Sequence, residues 1–106
     1  MPLRNLKEAP MDRNQILTII HNEKPYLQKH FGLLSIGLFG SFAKDKQRPE
    51  SDIDFLVELS NPNFDSLAGL QIYLEKRLGH PVELIRKRKG MRTSFLKRIE
   101  RDLLHA

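Results

Sequence analysis

The apolar positions change period several times along the chain, and each change marks an element. Residues 1–11 show no periodicity and contain Pro2 and Pro10, which predicts a loose N-terminal arm. From Asp12 the pattern turns helical. Asp12 is a natural N-cap, with Gln15 as its capping-box partner three residues on. Ile16, Ile19, Ile20 and Leu27 then recur at helical spacing. Pro25 interrupts them, so the expectation is a helix to about Asn22, then a kink or a second short helix, ending at Gly32.

Leu33–Phe39 reads as a first strand, with Leu34, Ile36 and Leu38 on one face and Leu33, Ser35, Gly37 and Phe39 on the other. Phe42–Lys46 is long enough only for a short helix, followed by a polar loop. Ile53–Leu59 is a second strand, with Ile53, Phe55, Val57 and Leu59 pointing inward and Asp52, Asp54, Leu56 and Glu58 pointing away. After a loop over Ser60–Phe64, Asp65 or Ser66 can cap a helix running to about Leu78. Its stripe is Leu67, Leu70, Leu74 and Leu78 with Ile72 beside it, and Tyr73 is read as packing or surface. Gly79 and Pro81 end that helix. Val82–Ile85 is a third strand, Arg86–Arg92 a basic loop, and a last helix begins near Thr93 with Leu96, Ile99 and Leu103 on one side. The pattern thus gives three strands and three or four helices, with residues 12–106 forming one domain.

Composition narrows the function classes. The chain has 106 residues and no cysteine, which excludes disulfides, zinc–cysteine sites and thiol nucleophiles. No apolar run is long enough to span a membrane and no signal-peptide core is visible, so a cytoplasmic protein is expected. The net charge of +5 is concentrated at the end of the chain, where eight Lys and Arg residues from Arg86 onward face only Glu100 and Asp102. Such a segment attracts nucleic acid, a nucleotide or an acidic partner, or serves as a solvated face. His21 and His30 have no second ligand at a suitable spacing and are read as surface residues.

The candidate chemistry lies in Gly37–Glu58, GLFGSFAKDKQRPESDIDFLVE. Gly40-Ser41 stands where a strand passes into a helix, a position whose free N–H groups bind phosphate. Asp52 and Asp54, at i and i+2 on a strand, project from one face and suit a divalent cation that accompanies a phosphate chain. Lys44 and Arg48 lie between these two features, placed to neutralise a triphosphate. Glu83, an acid in the apolar strand Val82-Glu83-Leu84-Ile85, is a candidate third carboxylate. Its alternative is an exposed edge-strand charge.

The run G-S, ten residues, D-x-D, flanked by apolar strands, resembles the minimal nucleotidyltransferase family of the DNA polymerase beta-like nucleotidyltransferases. The similarity extends from about Asp12 to the C-terminus. The resemblance implies an α+β nucleotidyltransferase fold, a small mixed sheet packed with helices, with which the three strands and three or four helices agree. It implies one or two Mg²⁺ ions on Asp52, Asp54 and Glu83, and ATP as substrate, with its phosphates on Gly40, Ser41, Lys44 and Arg48. It implies transfer of AMP to a hydroxyl. It also implies a HEPN-domain toxin as partner, with this chain as the antitoxin. The family commonly has Asp where this chain has Glu83, one methylene longer. That departure motivates an alternative, a catalytically silent antitoxin that neutralises its partner by contact. A nucleic-acid-binding module ranks behind both, because stacking aromatics are few. A homodimer through the terminal helices is a further option.

Overall fold

The computed structural model describes residues 11–61 and 63–106. The expected N-terminal arm, apart from Met11, lies outside them, as does Pro62. Eight elements follow in chain order: α1 (Arg13–Phe31), β1 (Leu33–Phe39), α2 (Gly40–Ala43), β2 (Ile53–Leu59), α3 (Phe64–Leu78), β3 (Val82–Arg86), α4 (Thr93–Arg101) and β4 (Leu104–His105). The sheet order is β3-β2-β1-β4. β1 runs antiparallel to both β2 and β4, while β2 and β3 are parallel, so the sheet is mixed and the fold is α+β.

The capping chemistry read at Asp12 forms. Its carboxylate accepts from the Gln15 amide at 2.8 Å, and the Gln15 side chain accepts from the Asp12 amide at 2.9 Å. Gly32 closes the helix in the left-handed region, at φ 68°. The break expected at Pro25 does not occur, and α1 is one helix of 19 residues. Proline there removes only the N–H that would reach His21. Both residues are exposed, so water can satisfy the freed carbonyl, while Ile16, Ile20 and Leu27 anchor both halves in the core. At α3 the cap is Asn63, two to three positions earlier than expected, and its side chain accepts from Ser66 N.

One face of the sheet makes the core with α1 and α3. Leu33, Ile36 and Leu38 of β1 join Ile53, Phe55, Val57 and Leu59 of β2 there, with Leu70, Leu74 and Leu78 of α3. Full burial of each such side chain contributes roughly 1.5–3 kcal/mol. The expected sharing of one face by Leu34, Ile36 and Leu38 is corrected by a register shift. Leu33 pairs with Leu59, but Ser35 pairs with Glu58, so one extra residue is accommodated between them. This irregularity turns Leu33 inward and leaves Leu34 57% exposed. Ile72, read beside the α3 stripe, is also exposed.

Tyr73 has a defined partner. Its hydroxyl donates to Glu23 Oε1 at 2.5 Å, and Arg77 Nε donates to Glu23 Oε2 at 2.8 Å, joining α3 to α1. The Tyr73 hydrogen bond, with help from Arg77, holds the Glu23 carboxyl below its ordinary range. The Tyr73 ring stacks on Tyr26 with centroids 4.8 Å apart. Replacing Tyr73 by Phe keeps the stack and removes the hydroxyl. Chemical denaturation should show a loss of about 1 kcal/mol, whereas no change would mean that the Arg77 pair holds the helices unaided.

Candidate active site

The second face of the sheet carries the chemistry. Phe39 pairs with Asp54 across the antiparallel β1–β2 ladder, and Asp54 pairs with Glu83 across the parallel β2–β3 ladder. Residues opposite one another in a sheet project to the same side. The register therefore places Asp54 between the end of β1 and Glu83. Asp52 stands two residues before Asp54, at the mouth of β2, and is exposed, as is Glu83. Asp54 is half-buried.

This crowding is visible in the electrostatics. Burial, the facing Glu83 charge, the hydrogen bond that a protonated Asp54 can share with Glu83, and the nearby Asp52 together push the Asp54 carboxyl from its ordinary 3.8 up to about 6. Two neighbouring acids therefore act on Asp54 here. Among the described residues the three do not close into a tight three-ligand cage. An open, oxygen-only cluster of mutually repelling carboxylates is a donor set that suits Mg²⁺, which binds one or two carboxylates and keeps several waters.

Gly40 stands against this cluster for two reasons that no other residue satisfies. Its φ is 79°, in the left-handed region. A Cβ built on it would also collide with the Asp54 carboxylate. The absence of a side chain is what lets the β1–α2 turn approach Asp54. Helix α2 comprises only Gly40–Ala43, so Gly40-Ser41 is its first turn and not a turn preceding a helix over Phe42–Lys46. A single turn adds little dipole, and the anion-binding capacity comes from first-turn N–H groups without acceptors inside the helix. Phe42 and Ala43 turn into the core and anchor that turn, and Arg13 Nη1 donates to the Ala43 carbonyl at 2.7 Å.

The other candidates are placed differently. Lys44 caps α2 and borders a cavity of about 210 Å³ that also touches Gly40, with its ammonium 3.7 Å from Asp102. Arg48 lies on the exposed loop leading to Asp52, where its amide donates to Ser51 Oγ at 2.9 Å and its carbonyl accepts from Ser51 N at 2.9 Å. Among the described residues its guanidinium has no hydrogen bond or ion pair to the carboxylates, so its contribution seen here is to shape the loop. His80 supports the same loop and was not legible in the sequence. Its Nε2 lies 2.5 Å from the Ser51 carbonyl, and its ring stands edge-on to Phe42 at 5.4 Å. It ties the α3–β3 turn to the residue preceding Asp52. No motif spacing signals a histidine that acts through a backbone carbonyl.

Two outcomes follow from this geometry. Gly40→Ala should cost about 1–3 kcal/mol from strain at positive φ and displace the Asp54 carboxylate, read by thermal denaturation and by loss of metal-dependent ATP binding. Asp54→Asn should raise the stability of the metal-free protein at pH 8, on the order of 1 kcal/mol after allowance for solvent screening. The sign follows from the raised pKa. The folded state holds the Asp54 proton more tightly than the unfolded state, so wild-type stability falls as pH rises from about 4 to 6, and above pH 6 the penalty is complete. The advantage of Asn should therefore shrink as pH is lowered through 6. Equal advantage at pH 4 and pH 8 would contradict it.

Comparison with known proteins agrees with the fold. The nucleotidyltransferase domain family matches residues 21–104. A Methanocaldococcus jannaschii protein named as a protein adenylyltransferase is 39% identical over 95 residues, covering 87% of this chain and 95% of its own. The protein adenylyltransferase MntA of Thermococcus cleftensis is 30% identical over 98 residues, covering 92% and 98%. A solved structure described as a minimal nucleotidyltransferase superposes with a TM-score of 0.70 at 24% identity, covering 92% of this chain and 98% of that one. A tri-AMPylated Shewanella oneidensis HEPN toxin in complex with its MNT antitoxin gives 0.59 at 21%, covering 84% and 70%. The sheet register, the glycine turn against Asp54 and the family match over most of the chain lead to one conclusion: this protein belongs to the nucleotidyltransferase domain family.

Proposed function

We propose that this chain is a Mg²⁺-dependent protein adenylyltransferase that moves AMP from ATP to a hydroxyl of a partner protein, acting as the antitoxin to a HEPN-domain toxin. The observation that carries the reading is the convergence of Asp52, Asp54 and Glu83 beside the Gly40-Ser41 turn. The relatives named as protein adenylyltransferases support the protein acceptor, and the HEPN toxin–MNT antitoxin complex supports the class of partner.

Asp52, Asp54 and Glu83 would hold one or two Mg²⁺ ions, which supply charge neutralisation at phosphate oxygens and acidify a coordinated hydroxyl. Ser41 and the first-turn amides of α2 would seat the triphosphate, with Lys44 at the edge of that seat. Lys44, released from Asp102, could carry part of the phosphate charge. The acceptor oxygen forms a bond to the α-phosphorus as the bond to the bridging oxygen breaks. Pyrophosphate leaves with that electron pair, and the hydroxyl proton passes to Glu83 or water. Fixed positioning and preorganised charge supply most of the rate in such a site.

A second reading rests on Glu83. Its carboxylate sits one methylene farther from the strand than an Asp would place it, and in a silent subunit the same fold would serve only to bind the partner. Calorimetric titration with ATP separates the two. The active reading expects binding that requires Mg²⁺ and is lost in Asp54→Asn. It also expects AMP incorporation into a co-expressed HEPN partner, which should fall at least 100-fold in Asp52→Asn and Asp54→Asn. Neutralisation of the partner that persists in both variants, without AMP incorporation by the wild type, would establish the silent subunit instead.

A further inference from the structure

Beyond the carboxylates, the second face of the sheet opens into a basic trough. A cavity of about 400 Å³ is walled by Arg88, Arg92, Arg98, Met91 and Phe95, and floored by Ile85 of β3. It shares Phe95 and Arg98 with the smaller cavity that reaches Phe39, Gly40 and Lys44. The two depressions are therefore neighbours, one beside the loop before α4 and the other at the Gly40 turn. Ile85 lies two residues beyond Glu83 on the same face of β3, roughly 7 Å along the strand at about 3.3 Å per residue. The arginine-lined trough therefore lies near Glu83 and adjoins the cavity that touches Gly40.

The lining is selective. All three arginines are exposed, and among the described residues none has a carboxylate partner. The two acids of the α4 segment lie near lysines instead, Asp102 3.7 Å from Lys44 and Glu100 3.9 Å from Lys87. Guanidinium groups bind carboxylates through paired, planar hydrogen bonds and are weakly hydrated, which suits them to interfaces. Phe95 and Met91 offer apolar surface between the charges. A nucleic-acid strand would require a succession of stacking rings, and this trough has a single aromatic. A polypeptide with acidic side chains fits it better.

We propose that the trough between Arg88, Arg92, Arg98 and Phe95 is the docking surface for an acidic segment of the acceptor protein, which brings its acceptor hydroxyl to the Glu83 end of the carboxylate cluster. This rests on the transfer reaction proposed above and adds to it the chemistry of the acceptor. The triphosphate keeps the Gly40-Ser41 seat, and the trough receives the other substrate.

The test uses a fluorescein-labelled peptide with one tyrosine flanked on each side by four glutamates, titrated by anisotropy against the full chain, with ATP–Mg²⁺ titrated separately. The expected result is peptide binding that weakens as salt rises, and a Kd raised at least tenfold in the charge-reversal variant R88E/R92E, with ATP affinity within twofold of wild type. Circular dichroism checks the fold. If the double variant does not fold, R88A and R92A singly should each weaken the peptide about threefold. The proposal is overturned if the folded wild type does not bind the peptide, or if the folded variants bind it equally well. It is overturned too if ATP affinity falls tenfold in R88E/R92E, which would make the trough a nucleotide seat. Tighter binding of a single-stranded oligonucleotide of equal charge, lost in the same variants, would make it a nucleic-acid groove. Peptide binding through these arginines by a wild-type chain that does not bind ATP would overturn the transfer reaction and keep the docking surface.

Discussion

Like charges held together at Asp54 are the constraint around which the molecule is arranged. A carboxyl raised to about 6 by burial, Glu83 and Asp52 is unfavourable for the folded chain at neutral pH, and other contacts must offset it. The sheet provides them. Asp54 is fixed between two ladders, paired with Phe39 on one side and Glu83 on the other, and it cannot move away without breaking register. Directly beneath, Ile53, Phe55 and Val57 are fully buried on the opposite face of the same strand. The alternation of β2 thus couples the strongest packing in the protein to its least comfortable carboxylate.

The connections around that strand show the same coupling. The loop entering β2 is closed by the reciprocal Arg48–Ser51 bonds and pinned by His80, while the Ile53 amide donates to the Pro81 carbonyl at 3.0 Å. The turn leaving β1 is anchored by Phe42 and Ala43 and by Arg13 of α1. Asp52 and Gly40 thus sit on short segments held by the core, which gives precise placement without a large cavity. A surface depression of about 550 Å³ along Met11, Asn14 and Ile19 of the N-terminal region touches none of the candidate site residues.

The second face is only partly covered. Leu103 lies so close over Gly37 that a Cβ there would come within 2.6 Å of it, and Gly37 pairs with His105 of β4. The chain after α4 therefore folds back along the free edge of β1, beside the end of that strand that faces Asp54 across the β2 ladder. Gly37 allows this close approach, and three residues on Gly40 leaves space for the Asp54 carboxylate. Toward β3, α4 and its preceding loop leave the arginine-lined trough open. The C-terminal basicity is thereby collected on the side of the sheet that carries the acids, while among the described residues Asp52, Asp54 and Glu83 have no ion-pair partner.

Local rules determined much of this in advance. The capping box at Asp12, the glycine stops at Gly32 and Gly79, the three principal strands and the shared face of Asp52 and Asp54 depend on residues near one another in sequence, where periodicity and backbone preference decide. The G-S…D-x-D spacing was legible for the same reason. Other features depend on partners distant in the chain. Continuity through Pro25 required both flanks of α1 to be buried. The exposure of Leu34 came from a register shift against β2, and the two-residue β4 exists only because β1 offers it an edge. The Glu23–Tyr73–Arg77 clamp and the support of His80 for Ser51 join residues 50 or more and 29 apart, respectively. Pattern alone showed that Glu83 was an acid on a strand; only the parallel pairing of β3 with β2 made it the neighbour of Asp54. Sequence determines which residue types are available and which way they alternate, while tertiary pairing decides which charges must face one another, because that energy is set by distance across the sheet and not by separation along the chain.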